Sequence, residues 1–147
     1  MTDLVDKKTR SRMMAGIKGK DTQPEMTVRR FLHRRGFRYR LHVSTLPGKP
    51  DICLPRYRVV IFVQGCFWHR HKGCKLSYMP ASNKERWKEK FQQNVVRDRK
   101  NIASLIRNGW RVIVLWECVL RRQEPTLLDW LPKAIMSDSG EAKVEWP

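Results

Sequence analysis

The sequence predicts an α/β fold, a mixed central sheet flanked by helices. Three observations carry that reading. Two runs, RVVIFVQ ending at Gln64 and WRVIVLW ending at Trp116, are almost wholly apolar and suit strands covered on both faces. A long helical pattern lies between them, which makes them parallel neighbours joined by a right-handed crossover. Ahead of both, Phe37, Tyr39, Leu41 and Val43 alternate with Arg38, Arg40 and His42, the period of a half-buried strand.

The elements follow in order. Thr22-Gln23-Pro24-Glu25 opens the first helix, with Thr22 as N-cap, Pro24 early and Glu25 closing a capping box. Met26, Val28, Phe31 and Leu32 form its apolar side, and Gly36 stops it. The alternating strand comes next, then the loop STLPGKP, the short strand DICL, the turn PRY and the apolar strand to Gln64. Ser82-Asn83-Lys84-Glu85 reads as a second capping box. The long helix behind it carries Trp87, Phe91, Val95, Ile102, Leu105 and Ile106, and Asn108-Gly109 ends it. After the strand to Trp116, PTLLDWLPKAIM predicts a closing helix. The chain divides into a basic arm over 1–20, a single domain over 21–136 and a flexible tail over 137–147.

The 147 residues suffice for one domain with a hydrophobic core. No apolar run approaches the roughly 18 residues of a membrane span. The first residues, MTDLVDKKTR, lack the apolar stretch of a signal peptide, so the expected address is the cytoplasm. The net charge is +17, from 31 Lys+Arg against 14 Asp+Glu. From Asn101 onward basic and acidic residues balance at six each, so the excess lies in the first two-thirds. That distribution points to a polyanion, and nucleic acid fits better than a membrane surface, for which no broad-faced basic helix is present.

The segment GCFWHRHKGC, Gly65 to Cys74, carries the chemistry. Four residues separate Cys66 from His71 and two separate His71 from Cys74. Cys118 follows the fourth strand as Cys66 follows the third, so the parallel pairing brings it alongside. Together they make a Cys₃His tetrahedral set, the pattern of a structural Zn²⁺ site, with His69 the competing imidazole. Buried core cysteines are the plainer reading, and Cys53, inside a strand, takes it. Asp51 follows Pro50 at the head of a short strand, with a helical Glu25 upstream. That is the start of the PD-(D/E)XK nuclease pattern, whose carboxylates hold Mg²⁺ for phosphodiester hydrolysis. The second acid and the lysine usual on the next strand are absent, where Phe62 and Gln64 stand.

Four stretches make the resemblance specific: TRSRMMAGIKGKDTQPE, LPGKPDICLPRYRVVIFVQGCFWH, GCFWHRHKGC and NVVRDRKNIASLIRNGWRVIVLWEC. Together they resemble the very short patch repair (Vsr) endonucleases over residues 7–120. The resemblance implies a restriction-endonuclease-like fold and an enzyme that nicks DNA 5′ of the thymine in a T:G mismatch, the product of 5-methylcytosine deamination. It implies Mg²⁺ on Asp51 and on the backbone carbonyl of Val63, His69 acting on the hydrolytic water, and Glu25 and Asp98 as supporting acids. It implies Zn²⁺ on Cys66, His71, Cys74 and Cys118. Phe67, Trp68 and Trp87 match aromatics that enter the base stack, and the arm with Arg12, Met14, Lys18 and Lys20 matches a segment that clasps the duplex. Gln64 replaces a histidine common in the family; it can hydrogen-bond water or phosphate but takes no proton at neutral pH. The Lys72-Gly73 insertion lengthens the metal loop by a residue relative to some members.

Plainer roles compete at several of these positions: helix capping for Glu25, an intrahelical ion pair for Asp98, and core packing for Phe67, Trp68 and Trp87. The expected protein is a monomer in the bacterial cytoplasm, at the nucleoid, with mismatch-repair proteins as further partners. The competing functions are a restriction-type nuclease cutting intact duplex and a non-catalytic zinc module that binds DNA.

Overall fold

The computed structural model describes residues 22–122, 124–137 and 141–146. The arm over 1–20, with Arg12, Met14, Lys18 and Lys20, lies outside the described residues. Helix α1 spans Gln23–Arg34. The Glu25 N–H donates to the Thr22 hydroxyl at 3.4 Å, so half of the expected capping box forms. The other half does not, because the Glu25 side chain turns inward and is 1% exposed. At the far end Phe37 N–H reaches the Leu32 carbonyl and Gly36 N–H the His33 carbonyl. Gly36 makes that closure in the left-handed region, φ +84°, as a glycine can without strain.

Strand β1 is Arg40–Leu41, shorter than the alternation predicts. His42 ends it by taking φ +47°. The hairpin continues irregularly, through His42 N–H to the Asp51 carbonyl and Val43 N–H to the Pro50 carbonyl. Strand β2, Ile52–Leu54, runs antiparallel to β1 and to β3. A 3₁₀ turn at Pro55–Tyr57 leads to β3, Val59–Gln64. Helix α2, Lys84–Arg107, connects β3 to β4, Arg111–Trp116, which pairs with β3 in parallel as expected.

The second capping box does not form. Asn83 precedes α2 at φ +58° with no side-chain cap, a conformation asparagine tolerates better than most residues. The closing helix is also shorter than expected. After α3, Glu117–Leu120, residues 125–130 make turns and only α4, Leu131–Met136, is helical. Pro132 has no N–H and suits only the first turn of a helix, so it marks the start of α4.

A further correction concerns the end of the chain. The flexible tail predicted over 137–147 contains β5, Lys143–Trp146, parallel to β4 and completing the order β1-β2-β3-β4-β5. Its KVEW alternation is strand-like, but it is too short to stand out before its partner is known. Trp146 packs on Trp130 with ring centroids 5.1 Å apart, and Glu145 accepts from the Trp116 indole N–H at 2.9 Å.

The alternation within β3 and β4 divides the core in two. Val59, Ile61, Ile113 and Leu115 face α1 and the segments after β4. Val60, Phe62, Val112, Val114 and Trp116 face α2. Both strands are therefore apolar along nearly their whole length because each has two covered faces. Cys53 lies in the second layer and is 3% exposed, a core residue as expected.

Ending the chain at Glu141 removes β5 and bares the edge of β4. Thermal unfolding of that truncation should shift down by several degrees, since each kcal/mol lost is worth roughly 4 °C in a domain of this size. A Tm equal to that of the full chain would return the segment to the status of a tail.

Candidate active site and metal centre

Strand directions decide where the site lies. β3 and β4 are parallel and β2 is antiparallel to β3, so the head of β2 and the ends of β3 and β4 share one edge of the sheet. Asp51 stands just before Ile52 at that edge, and its Oδ2 accepts from the Val63 N–H at 2.8 Å. Glu25 arrives from the first turn of α1. Both its oxygens lie 3.0 Å from His42 Nε2, and Oε2 also accepts from Arg29 at 3.3 Å.

The electrostatics of this corner are unusual. Burial pushes Asp51 up to about 7; the Val63 N–H opposes the rise, the Glu25 charge adds to it, His42 opposes it, and a hydrogen bond with Glu25 adds again. Two carboxylates this close resist ionising together unless a cation joins them. Ligand atoms of Glu25, His42 and Asp51 lie within 4.8 Å of one another, a group that could hold a metal ion. Val63 is in place beside Asp51, though the contact described is through its N–H. Gln64, 7% exposed, is the last residue of β3.

Just past the strand, His69 N–H donates back to the Gly65 carbonyl and sets the turn. The His69 ring is held by Asp98 of α2, with Nδ1 and Oδ2 2.6 Å apart. A carboxylate accepts only, so it selects the Nδ1–H tautomer and leaves Nε2 as the ring's basic atom. Asp98 thus orients an imidazole, where an intrahelical ion pair was the plainer expectation.

Cys66, His71, Cys74 and Cys118 converge, their ligand atoms within 4.8 Å of one another. His71 Nδ1 lies 3.6 Å from Cys66 Sγ and 3.5 Å from Cys118 Sγ. A tetrahedral ion with sulfur ligands at about 2.3 Å and nitrogen at about 2.0 Å has edges of about 3.5 Å, so the donors fit one. His71, not His69, belongs to the set, and its ring stacks on Trp116 at 4.2 Å. Burial pushes the Cys66 thiol up to about 12 and raises Cys118. For Cys74 burial also acts upward, but donors from the Leu76 backbone, Cys66, Cys118 and the Ser77 backbone outweigh it and lower the thiol. Cys66 and Cys118, held protonated by burial, ionise readily only when a cation enters.

The loop that carries His69 also carries part of an aromatic cluster. Phe67 is its hub, with ring centroids 5.1 Å from Trp68, 5.6 Å from Trp87, 5.1 Å from Phe91 and 5.0 Å from Tyr78. Trp68 and Trp87 are half-buried, and the Lys90 ammonium lies over both rings. The Asn94 amide donates to the Trp68 carbonyl at 3.3 Å. Arg70 ties the loop from below, donating to the carbonyls of Phe67, Ser77 and Tyr78.

The structure thus brings together Glu25 with Asp51, His69 with Asp98, the four Cys/His donors, and Phe67 with Trp68 and Trp87. The sequence reading missed His42. Its place in the alternation puts it on the outer face with Arg38 and Arg40, and no spacing links it to Glu25. A cavity of about 690 Å³ between α1 and residues 124–128 contains neither Asp51 nor His69 and is not this site.

A family model described as DNA mismatch endonuclease Vsr matches residues 2–76. The chain is similar to the type II nicking enzyme V.XorIIP of Xanthomonas oryzae pv. oryzae, 45% identical over 82% of this chain and 88% of that protein. It is similar to the DNA mismatch endonuclease Vsr of Escherichia coli, 40% identical over 99% of this chain and 95% of the other. It is also similar to the type II nicking enzyme V.NmeAIP of Neisseria meningitidis, 45% identical over 84% and 87% of the two chains.

Two measurements test the two centres. Asp51 titrates at about 7 when folded, against an ordinary 3.8. Between those values the folded chain keeps a proton that the unfolded chain has lost. Metal-free stability therefore falls as pH rises through that window, and the whole cost is present above it. Asp51→Asn should raise the metal-free Tm at pH 8 and change it little at pH 4; equal shifts at both would mean Asp51 is an ordinary carboxylate. Cys118→Ser should release the metal held by the Cys/His group and lower the Tm, with elemental analysis as the readout. Unchanged metal content would exclude Cys118 from the set.

Proposed function

We propose, because this chain belongs to the DNA mismatch endonuclease Vsr family, that it is a Mg²⁺-dependent endonuclease that nicks duplex DNA 5′ of the thymine in a T:G mismatch. Its fold is the restriction-endonuclease-like one of that family, and its substrate class is DNA. The observation that carries the reading is the pairing of two devices at the end of β3. The Asp51 carboxylate, beside the buried Glu25, accepts from the Val63 N–H, and six residues on the His69 imidazole is oriented by Asp98.

The roles divide as follows. Asp51, with the Val63 carbonyl and the support of Glu25, would hold Mg²⁺. The ion, when bound, neutralises charge on the phosphate and lowers the pKa of an attacking water. His69 takes the water's proton at Nε2, while Asp98 holds Nδ1 and stabilises the imidazolium that forms. Gln64 supplies a hydrogen bond to water or phosphate. Zn²⁺ on Cys66, His71, Cys74 and Cys118 would do no chemistry and would hold the loop that bears His69 in one geometry.

Phe67, Trp68 and Trp87 enter the base stack beside the mismatch. Parting stacked bases costs a few kcal/mol, least where pairing is already poor, so a stiff wedge favours a mismatch. The basic arm over 1–20, with Arg12, Met14, Lys18 and Lys20, clasps the duplex from the other side. One asymmetric lesion and one nick need one active site, so the protein works as a monomer. Its place is the bacterial cytoplasm at the nucleoid, with mismatch-repair proteins as partners.

Duplexes with and without a T:G mismatch, end-labelled on each strand, test the reading. Mg²⁺ should produce one nick, 5′ of the mismatched thymine, and none in matched DNA. Asp51→Asn and His69→Ala should each abolish it while mismatch binding persists. Cutting of both strands of matched DNA would make the protein a restriction-type nuclease, and no cutting with any divalent ion would leave a DNA-binding module.

Trp68→Ala should draw the affinities for mismatched and matched duplex closer together by up to roughly 10–100-fold. Base–aromatic stacking is worth about 1–3 kcal/mol and is gained only where bases part. Metal content should stay normal; unfolding or metal loss would make Trp68 a core residue.

A further inference from the structure

His42 has no role in the function just argued, yet its position is costly to achieve. A residue at φ +47° lies in the left-handed region, which costs a non-glycine side chain about 1 kcal/mol or more. In a continued strand the imidazole would point outward with Arg38 and Arg40. The positive φ turns it inward, where its side chain is 14% exposed. The same residue keeps its backbone bond to the Asp51 carbonyl, 3.0 Å, so the turn is anchored to the acid it faces.

The geometry there is that of a coordination site. His42 Nε2 lies 3.0 Å from each oxygen of Glu25, centred between them and not aimed at one. Adjacent ligands of an octahedral ion with arms of about 2.1 Å sit about 3.0 Å apart, and opposite ligands about 4.2 Å. The Glu25, His42 and Asp51 ligand atoms lie within 4.8 Å of one another, so a contraction of a few tenths of an ångström closes them on one ion. Arg29 holds Glu25 Oε2 at 3.3 Å from outside, fixing which way that carboxylate faces.

We infer that His42 is a direct ligand of the active-site metal, giving a set of two carboxylates and one imidazole that takes Mn²⁺ or a similar transition ion more tightly than Mg²⁺. The inference rests on the nuclease reading above. The chemical reason is ligand type. Mg²⁺ demands hard oxygen donors and keeps its waters, whereas an imidazole suits first-row transition ions. A histidine in the set therefore biases the ion the site selects and raises its affinity for ions that accept nitrogen.

The test uses the full chain with its Cys/His site loaded with zinc, which is diamagnetic, and Mn²⁺ as the probe. Pulsed EPR of bound Mn²⁺ should show a directly coordinated ¹⁴N in the wild type. His42→Gln should lose that coupling and weaken Mn²⁺ binding by roughly tenfold or more, with Mg²⁺ binding changed far less. His69→Gln should keep the coupling. Unfolding scans confirm that each variant is native, and the wild-type spectrum stands alone if His42→Gln does not fold. A wild-type spectrum without bound nitrogen overturns the proposal and leaves His42 as a hydrogen-bond partner of Glu25; so does coupling that survives in folded His42→Gln. Asp51→Asn separates this from the function itself. If that variant loses Mn²⁺ while the wild type shows no nitrogen, only the role of His42 fails. If it binds Mn²⁺ as well as wild type, the metal site of the nuclease reading fails too.

Discussion

Parallel pairing of β3 with β4, in register from Val59 opposite Arg111 to Gln64 opposite Trp116, places two distant parts of the chain at one edge of the sheet. Cys66 and Cys118 then meet as the second residues beyond the paired ends, with the Cys118 N–H 3.4 Å from Cys66 Sγ. Glu117 reaches across the same gap and accepts from the Cys66 N–H. The antiparallel hairpin of β2 and β3 brings Asp51 to that edge as well. A slip of one residue between β3 and β4 would turn every side chain to the opposite face and separate these groups together. Both strands are buried on two faces, so the apolar core opposes any such slip.

The edge so assembled is expensive to keep. A carboxyl raised to about 7 beside a second, buried carboxylate costs stability at neutral pH and above. A cation there converts mutual repulsion into shared attraction, and a cation among the cysteines draws their thiols into the ionised form. The cost is carried by two well-packed apolar layers on either side of the sheet. The backbone adds its own strain at His42, Arg70 and Asn83, three non-glycine residues with positive φ that border the site or the loop beside it.

The loop from Gly65 to Tyr78 has little regular structure yet is held from several directions. The Cys/His group joins it to the end of β4, and Arg70 gathers three of its carbonyls. Ser77 donates its hydroxyl to the Cys66 carbonyl at 2.6 Å, and His71 rests on Trp116. Phe67 anchors the aromatic cluster against Phe91 of α2, leaving Trp68 and Trp87 nearer the surface under Lys90. Phe67 thus combines core packing with the wedge role proposed for it. A loop fixed in this way can carry His69 and a wedge without deforming when either meets its target.

How much of this was legible in the sequence depends on the range of the interaction. Short-range patterns were enough for the apolar strands, the long helix, the Cys/His set and the acid at Asp51, because periodicity and spacing are written along the chain. Parallel pairing of β3 and β4 followed from the helix between them, and that alone placed Cys118 with Cys66. Local pattern failed where a distant partner decides. The KVEW segment became a strand because β4 offered it an edge, Pro132 shortened the last helix, and Asn83 replaced a side-chain cap with a left-handed turn. Glu25 left its cap for the interior, and one positive φ carried His42 off the outer face to meet it. Pattern along the chain supplied the candidate residues of the site, His42 excepted, and the runs that form the core. Only the tertiary structure decided which of them touch, because a contact between α1, β1 and β2 depends on backbone direction in three dimensions, to which no one-dimensional period corresponds.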